Sequence, residues 1–362
     1  NVVDICPVGA LTLKEARIKA RVWFVTNAPT TCPGCARGCS IDLGVFRNEV
    51  HRITPRENHA VNRWWICDEG RLWGERMIAG YDSRLRELRG VDEVPGLGQG
   101  WDSAIDQGAR CLEKAAADGS LAVLASSRAT VEQAWMLAKL VSGPLSGAKV
   151  FLPQHERGGD DDLLIRKDKT PNRKGVEAVF QGMGIDLLST QELERWLGED
   201  EVSAVLGLGP GLVGPVDDEP TPVSEKLLAK AGQLIVIDAH RSPLSDAASM
   251  VLPATAYAES PGTYVNFAGR VQHVERALVP QSNVRPPAMI LSDLFGRLTG
   301  QTPPAPAEMR RRVSQDVAAF GHIDWENLPG SGGQDLKGHD AASRACKPTG
   351  AAVDMIKSGF KD

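Results

Sequence analysis

Four of the seven cysteines in this 362-residue sequence lie in one array that combines short spacings with one long spacing. The array reads Cys-x2-Cys-x3-Cys-x27-Cys and consists of Cys32, Cys35, Cys39 and Cys67. A single tight loop can wrap the first three thiolates around one inorganic body, and the fourth can close the remaining side. A [4Fe-4S] cluster takes cysteine thiolates as ligands, and bacterial sites combine a clustered run with a remote residue. The spacing therefore favours a [4Fe-4S] cluster on these four cysteines.

Two other interpretations of the array remain open. Structural zinc is also bound by four cysteines, but it usually takes them as two short-spaced pairs, whereas this array is a triplet and a singlet. The other alternative is that the cysteines bind no metal at all. Gly34 and Gly38 lie within the triplet, and glycine leaves a loop free to turn its amide groups toward cluster sulfurs.

Composition excludes several classes of function. The chain carries 46 acidic and 41 basic residues, a net charge of −5, which argues against a nucleic-acid-binding surface. No apolar run reaches the roughly 18 residues that a membrane span needs, so any membrane contact is expected through partners. The remaining cysteines, Cys6, Cys111 and Cys346, form no pairing framework, which indicates a reducing compartment.

The cysteine array must be positioned by short elements on either side of it. The stretches VWFVTNA, SIDLGVF and EVHRITP alternate or are β-branched, which is typical of strands. We therefore expect the cluster at the edge of a small, mostly β unit. Trp64, Trp65 and Ile66 precede the last cysteine and are expected to shield one face of the cluster.

The rest of the chain alternates between apolar strands and helical stretches. Trp101 opens an amphipathic stretch that continues to about residue 117, and Thr130 is a plausible N-cap for a helix over 130–142. The predicted strands are 120–127, 148–153, 202–209 and 233–239. Continuous apolar strands separated by helices predict a parallel sheet that is covered on both faces, as in Rossmann-like folds. A further helix is predicted near 306–319, and the glycine-rich segment 330–338 is expected to be a flexible loop.

Two features of this region suggest ligands but favour simpler interpretations. The glycine-rich turn Gly207–Gly211 lacks the glycine that a dinucleotide fingerprint needs at position 212, where Leu212 stands, so NAD binding is not expected. The acidic run Asp160–Asp162 is expected to be solvated or to cap backbone amides rather than to bind a cation.

Three stretches together resemble one protein family. The run CPGCARGC with the later CDEGR is similar to the iron–sulfur domain of the molybdopterin oxidoreductase superfamily. Residues 245–272 resemble a second signature of that superfamily, and the N-terminal NVVDICPVGALT resembles the end of a ferredoxin-like segment. In combination they resemble the G-subunit family of bacterial NADH:quinone oxidoreductase, which is complex I.

The resemblance implies the following fold and domains. The fold class is α/β, with a small β-rich [4Fe-4S] domain followed by a Rossmann-like α/β domain of molybdopterin oxidoreductase type. Residues 1–20 would be the end of a truncated ferredoxin-like domain, 21–85 the cluster domain, 95–300 the α/β domain and 301–362 a C-terminal extension. Glu259, Asn266 and Arg270 in the second signature are expected to form a buried polar network that fixes a loop.

The resemblance also implies a second, partial cluster site. Cys6 is followed by Pro7, as is the last cysteine of ferredoxin-type runs, and the other three ligands would lie upstream of the first residue. The sequence begins with Asn rather than Met, which agrees with the expectation that it starts inside a longer protein. The alternative is that Cys6 is a small buried hydrophobe at a turn.

The implied function is that of an iron–sulfur electron-transfer subunit, which relays single electrons from NADH and flavin toward quinone and has no catalytic residues. Its partners would be the flavin, ferredoxin-like and quinone-site subunits of a respiratory complex, on the cytoplasmic side of the membrane. The alternative is a catalytic molybdenum or tungsten oxidoreductase such as a formate dehydrogenase. Catalytic relatives commonly carry a lysine where Glu69 stands here, so this chain is expected to reverse the local charge and to lack molybdopterin.

Overall fold

The fold is taken from a computed structural model, which describes residues 2–14, 17, 19–72, 83–92, 100–161, 163–199, 202–209, 231–280 and 283–339. Cys346, Asp162 and the segment that follows Gly209 lie outside these residues. Within the described ranges, no helix combines the length and apolarity that crossing a bilayer requires.

The N-terminal part is a small antiparallel β unit with the strand order β1-β2-β3. Its elements are helix α1 (Val2–Ile5) and strands β1 (Thr26–Thr31), β2 (Ser40–Phe46) and β3 (Glu49–Pro55). The second and third predicted strands are confirmed, but Val22–Phe24 forms a 3-10 helix instead of a strand. Trp23 and Phe24 in that turn are 73% and 57% exposed, so no neighbouring strand covers them.

The predicted parallel sheet is confirmed and has six strands in the order β6-β5-β4-β7-β8-β9. Its strands are β4 (Leu121–Leu124), β5 (Lys149–Phe151), β6 (Leu187–Leu188), β7 (Ala204–Leu208), β8 (Gln233–Asp238) and β9 (Met250–Pro253). The associated helices are α2 (Trp101–Ala117), α3 (Val131–Ser142), α4 (Arg173–Gly182), α5 (Thr190–Gly198) and α6 (Pro243–Ala247). Thr130 caps α3 as predicted, because its side chain accepts a hydrogen bond from the Gln133 amide.

Helices cover both faces of this sheet. In β4, Leu121 and Val123 pack into the larger core with α2, α3 and α4, while Ala122 and Leu124 pack into a second core with α5. Successive side chains of a strand point to opposite faces, so a strand that is covered on both sides must be apolar throughout. This explains why the sheet reads in the sequence as continuous apolar runs.

The C-terminal part adds a second small sheet and two helices. Its elements are β10 (Gly262–Val265), β11 (Arg270–Val274), α7 (Pro287–Thr299), α8 (Pro306–Asp316) and β12 (Gln334–Asp335). The prediction of a flexible loop over 330–338 is wrong, because β12 pairs with β11 and Asp335 accepts a 2.8 Å hydrogen bond from Arg270. Met309 and Val313 of α8 are buried in the larger core. The predicted domain boundaries stay a prediction.

The β unit shares a hydrophobic core with the rest of the molecule. Ile41, Leu43 and Ile53 of the β unit pack with Leu164 and Ala258. The loop that joins β1 to β2 therefore lies against the α/β part, and this loop carries three of the four arrayed cysteines.

Candidate iron–sulfur site

The structure brings all four predicted cysteines to one cavity of about 380 Å³. The sulfur-bearing residues that line it are Cys32, Cys35, Cys39 and Cys67. This volume is more than ten times the roughly 30 Å³ that one water molecule takes up in the liquid, so a body of several atoms fits. Within the described ranges, no three His, Cys, Asp or Glu side chains are arranged to hold a single metal ion. The sulfurs surround a space that is larger than one ion needs.

Backbone amides point at two of the sulfurs. The Gly34 amide lies 3.4 Å from Cys32 Sγ, as the sequence predicts, and the Gly70 amide lies 3.2 Å from Cys67 Sγ. A Cβ at Gly70 would lie 3.3 Å from one of these sulfurs and 3.4 Å from the other, so only glycine leaves both free. Sequence reasoning missed Gly70, although it directly follows Cys67-Asp-Glu.

Gly38 has a different role from the one predicted. Its amide hydrogen-bonds the Cys35 carbonyl at 3.3 Å, and its φ of +64° lies in the left-handed region that favours glycine. A Cβ at this position would lie 2.8 Å from Gln272 Oε1. Gly38 therefore allows the loop to turn tightly beneath another part of the chain.

In the absence of a bound cation, the surroundings of the buried cysteines favour the protonated thiol over the thiolate. Burial, together with the neighbouring Cys35 and Cys67, raises the pKa of the Cys32 thiol well above its usual value. Burial also raises the pKa of Cys39 and of Cys67. Iron binds the thiolate form, so binding must release these protons and provide the positive charge that the buried thiolates lack. The donor set and the cavity both fit an iron–sulfur cluster.

The apolar shielding before the last cysteine is only partly as predicted. Ile66 is fully buried and lines the cavity, and Trp65 packs beside it in the core of the β unit. Trp64 is 50% exposed and packs edge-on against His59. It does not line the cavity, because the turn before Cys67 directs it to solvent.

Asn62, which sequence reasoning missed, ties the two cysteine segments together. Its side chain is fully buried, accepts a 2.8 Å hydrogen bond from the Ser40 amide and donates a 2.9 Å bond to the Trp65 carbonyl. Ser40 directly follows Cys39, and Trp65 lies two residues before Cys67. No spacing rule would have singled out this asparagine.

The second signature holds the cysteine loop in place. Asn266 Nδ2 donates to the Arg37 carbonyl at 3.1 Å, and Gln272 Nε2 donates to the Gly38 carbonyl at 2.9 Å. The Phe267 amide also donates to the Ala36 carbonyl at 2.8 Å. The predicted polar network is therefore confirmed for Asn266, and the loop that it fixes is the cysteine loop itself. Glu259 and Arg270 pair elsewhere, with Arg84 at 2.6 Å and with Asp335.

A loop of the α/β part covers the cavity. Arg37 is buried and donates to the carbonyls of Leu163 and Leu164, each at 3.1 Å, while the Ala36 amide donates to the Asp168 carbonyl at 2.9 Å. The acidic residues of this loop cap backbone amides as predicted, since Asp161 accepts from Leu163, Leu164 and Ile165 and Asp160 accepts from Lys167.

The predicted charge reversal at Glu69 is wrong. Glu69 Oε2 lies 2.8 Å from Lys169 Nζ, and its Oε1 lies 3.6 Å from Arg157. The charged residues that line the cavity are thus two acids and two bases: Asp68, Glu69, Arg157 and Lys169. Lys169 lies 100 residues from Glu69 along the chain, so no local pattern in the sequence indicates the pairing.

Cys6 lies apart from the four arrayed cysteines and does not line their cavity. Its segment is held to the β unit by Asp4, which forms a two-point ion pair with the buried Arg71, one contact of which is 3.1 Å. The backbone amide of Leu11 lowers the pKa of the Cys6 thiol, which favours the thiolate that a metal binds. All six described cysteines are free thiols.

Comparison with protein families supports this assignment of the site. Residues 26–78 match the model of the molybdopterin oxidoreductase Fe4S4 domain, and residues 213–297 match the molybdopterin oxidoreductase model. The fold resembles acetylene hydratase from Pelobacter acetylenicus, with a TM-score of 0.52 over 85% of this chain and 74% of that chain, at 10% identity. The region that matches the Fe4S4 domain model contains the three strands of the β unit and all four cysteines of the cavity.

Parts of the chain are similar to curated proteins named as subunits of NADH-quinone oxidoreductase. The chain is 48% identical over 75 residues to NADH-quinone oxidoreductase subunit 3 of Thermus thermophilus, which is 21% of this chain and 10% of that one. It is 33% identical over 159 residues to the G subunit of Pseudomonas putida, and this match covers 44% of this chain and 16% of that one. It is 30% identical over 224 residues to the G subunit of Streptomyces coelicolor, and this match covers 61% of this chain and 25% of that one. The chain therefore spans a quarter or less of the length of these relatives.

Proposed function

We propose that Cys32, Cys35, Cys39 and Cys67 hold one [4Fe-4S] cluster and that the chain serves electron transfer. The observation that carries the proposal is the convergence of all four cysteines on one multi-atom cavity. When bound, such a cluster exchanges single electrons with neighbouring redox centres. The chain itself makes and breaks no substrate bond: its cysteines hold the cluster, its glycine amides point at the sulfurs, and its covering loop limits the access of water.

The proposed role is that of a subunit in the peripheral arm of an NADH:quinone oxidoreductase. The relatives named as G subunits of NADH-quinone oxidoreductase support it, and the proposed route runs from NADH and flavin toward quinone. The proposed partners are the flavin-bearing, ferredoxin-like and quinone-site subunits of the same complex. Contact with the membrane would be made through those partners, on the cytoplasmic side.

We further propose that Cys6 is one ligand of a second [4Fe-4S] cluster whose remaining ligands come from outside this sequence. The Asp4–Arg71 pair supports this, because it holds the Cys6 segment against the same β unit that carries the first site. Arg71 lies four residues after Cys67, so the two proposed clusters would be neighbours. Replacing Cys6 by serine should leave the first cluster intact, and loss of that cluster's iron would contradict the separation of the two sites.

Molybdopterin is proposed to be absent, which distinguishes this function from that of a catalytic molybdenum or tungsten enzyme. Glu69 stands at the lysine position of catalytic relatives, and its carboxylate is engaged by the chain's own cations. At the carboxyl end of β8, Asp238 accepts hydrogen bonds from the amides of Ala239 and His240, at 2.6 and 3.2 Å. The Asp238 carboxylate fills the space above Gly209, so the chain itself occupies this part of the glycine-rich turn. Burial raises the pKa of Asp238 to about 6.

Elemental analysis of anaerobically purified protein tests the proposal. We expect about four irons and four sulfides per chain, no molybdenum or tungsten, and a [4Fe-4S] signal in the electron paramagnetic resonance (EPR) spectrum after dithionite reduction. Stoichiometric molybdenum or tungsten would instead support the catalytic enzyme. One zinc without iron would reduce the site to a structural one.

A further inference from the structure

We propose that Lys169 raises the reduction potential of the cluster by placing a buried positive charge beside it, and that Glu69 holds Lys169 there. The proposal rests on the cluster proposed above. The acid that lies two residues after Cys67 is paired with a cation from a different part of the chain.

The contact between the two side chains is short and largely shielded. Lys169 Nζ lies 2.8 Å from Glu69 Oε2, and the lysine side chain is only 6% exposed. Both residues line the cavity that the four cysteines surround. Because Glu69 is two residues from Cys67, the pair sits directly beside a proposed ligand.

The backbone around Lys169 is anchored on both sides. Its amide donates to the His155 carbonyl at 2.8 Å, and the preceding Asp168 carbonyl accepts from the Ala36 amide at 2.9 Å. Ala36 lies between Cys35 and Arg37 in the cysteine loop. The backbone at Lys169 is therefore anchored to the cysteine loop, and the contact with Glu69 holds its ammonium group at the cavity.

The sign of the effect follows from the charge that reduction adds. Taking up one electron makes the thiolate-ligated cluster more negative, so a nearby cation stabilises the reduced form and raises the potential. Charges in a shielded position interact several times more strongly than charges in water. Glu69 acts in the opposite direction, but its side chain is 50% exposed and therefore better screened. The other lining charges are Arg157, which is 47% exposed, and Asp68.

The chain offers a matched control on the same loop. Lys167 lies two residues before Lys169 and pairs with Glu156 at 2.9 Å, so both lysines take part in an ion pair of similar length. The Lys167 side chain is 50% exposed and does not line the cavity. Removing its charge should change the potential much less than removing that of Lys169.

The test is a potentiometric titration followed by EPR, with dithionite as reductant, on the full chain and its variants. At the wild-type midpoint, Lys169→Gln should lower the ratio of reduced to oxidised cluster about tenfold, which is a shift of about 59 mV for a one-electron couple. Lys169→Arg keeps the charge and should restore most of the ratio. Glu69→Gln removes a negative charge but keeps a side-chain oxygen that can accept from Lys169 Nζ, so it should raise the ratio. Lys167→Gln should change the ratio less than about twofold, because the charge of Lys167 is screened.

Iron and sulfide content, measured for each variant, separates the two proposals. A wild-type chain without a cluster overturns both proposals. A loaded Lys169→Gln with an unchanged midpoint overturns the lysine proposal alone, as does a Lys167→Gln shift of equal size. If Lys169→Gln does not bind a cluster, two other variants test the lysine proposal. A wild-type midpoint in Glu69→Gln overturns it. A Lys169→Arg variant whose ratio of reduced to oxidised cluster falls about tenfold at the wild-type midpoint also overturns it.

Discussion

Replacing Asn266 by alanine tests whether the second signature holds the cysteine loop in place. The Asn266 side chain is 2% exposed and makes three hydrogen bonds, to the Arg37 carbonyl and from the amides of Ala268 and Arg270. One of these bonds reaches the loop that carries the cysteines, and the other two shape the turn that carries Asn266. Alanine removes all three and leaves buried backbone groups without partners.

The expected loss follows from these contacts. A buried hydrogen bond contributes about 1 kcal/mol net, and an orphaned buried group costs up to about 3 kcal/mol. Three bonds therefore predict a fall of about 3 kcal/mol in the free energy of unfolding. Because the bond to Arg37 is one of them, part of that loss should appear as a looser cysteine loop, and hence as faster loss of iron.

The assay is the rate at which a coloured iron chelator removes iron from the anaerobic protein, measured beside urea denaturation. The matched control is Leu193→Ala, since Leu193 is fully buried in the second core, on the sheet face covered by α5. Truncating such a leucine costs about 2–5 kcal/mol, similar to the loss expected for Asn266→Ala. We expect several-fold faster iron release only from Asn266→Ala. Equal release rates in the two variants would refute the reasoning, since stability alone would then explain them.

Three further changes have defined expected outcomes. Gly38→Ala should destabilise the protein by about 1–2 kcal/mol from its left-handed backbone alone, and more from the 2.8 Å approach to Gln272, with reduced iron content. Thr130→Ala should cost about 1 kcal/mol in urea denaturation, because it removes the cap of α3. Although burial opposes ionisation, the Arg310 guanidinium and neighbouring hydrogen bonds hold the pKa of Glu132 below its usual value. Ionised Glu132 therefore stabilises the folded protein above its unfolded pKa of about 4.3. Thermal melts of the wild type should show this stabilisation disappear as the pH falls further, whereas Glu132→Gln should lack this pH-dependent loss.

Each of these changes has its own control. Gly119 has a φ of +67° with no atom near its Cβ position, so Gly119→Ala should show the backbone cost alone and retain its iron. Thr130→Ser keeps the capping oxygen and should be close to wild type. For Glu132, an acid limb that is identical in the wild type and in Glu132→Gln would contradict the assigned pKa shift.

The sequence predicted the parts of the site that depend on local spacing. The four cysteines, the Gly34 amide and the apolar strands could be read directly, because ligand spacing and strand burial leave patterns in neighbouring residues. Helix α5 was not predicted, although Ser189 and Glu192 form a capping box that marks its start.

The rest depends on contacts between distant segments. Lys169 meets Glu69 across 100 residues, and Asn266 meets Arg37 across 229. A single sequence carries no signal for such pairs, because many lysines and asparagines satisfy the same local rules. For this reason the local charge was predicted to be reversed, whereas the acids and bases that line the cavity balance, while the four cysteines were predicted to lie together as the structure places them.

The most direct test of the central claim is the iron content of single cysteine-to-serine variants. The wild type is expected to carry about four irons per chain, and serine at position 32, 35, 39 or 67 should remove or strongly destabilise the cluster. Cys111→Ser is the control, because Cys111 lies in α2 and does not line the cavity. Full iron content and an unchanged EPR signal in the Cys35→Ser or Cys67→Ser variant would contradict the account.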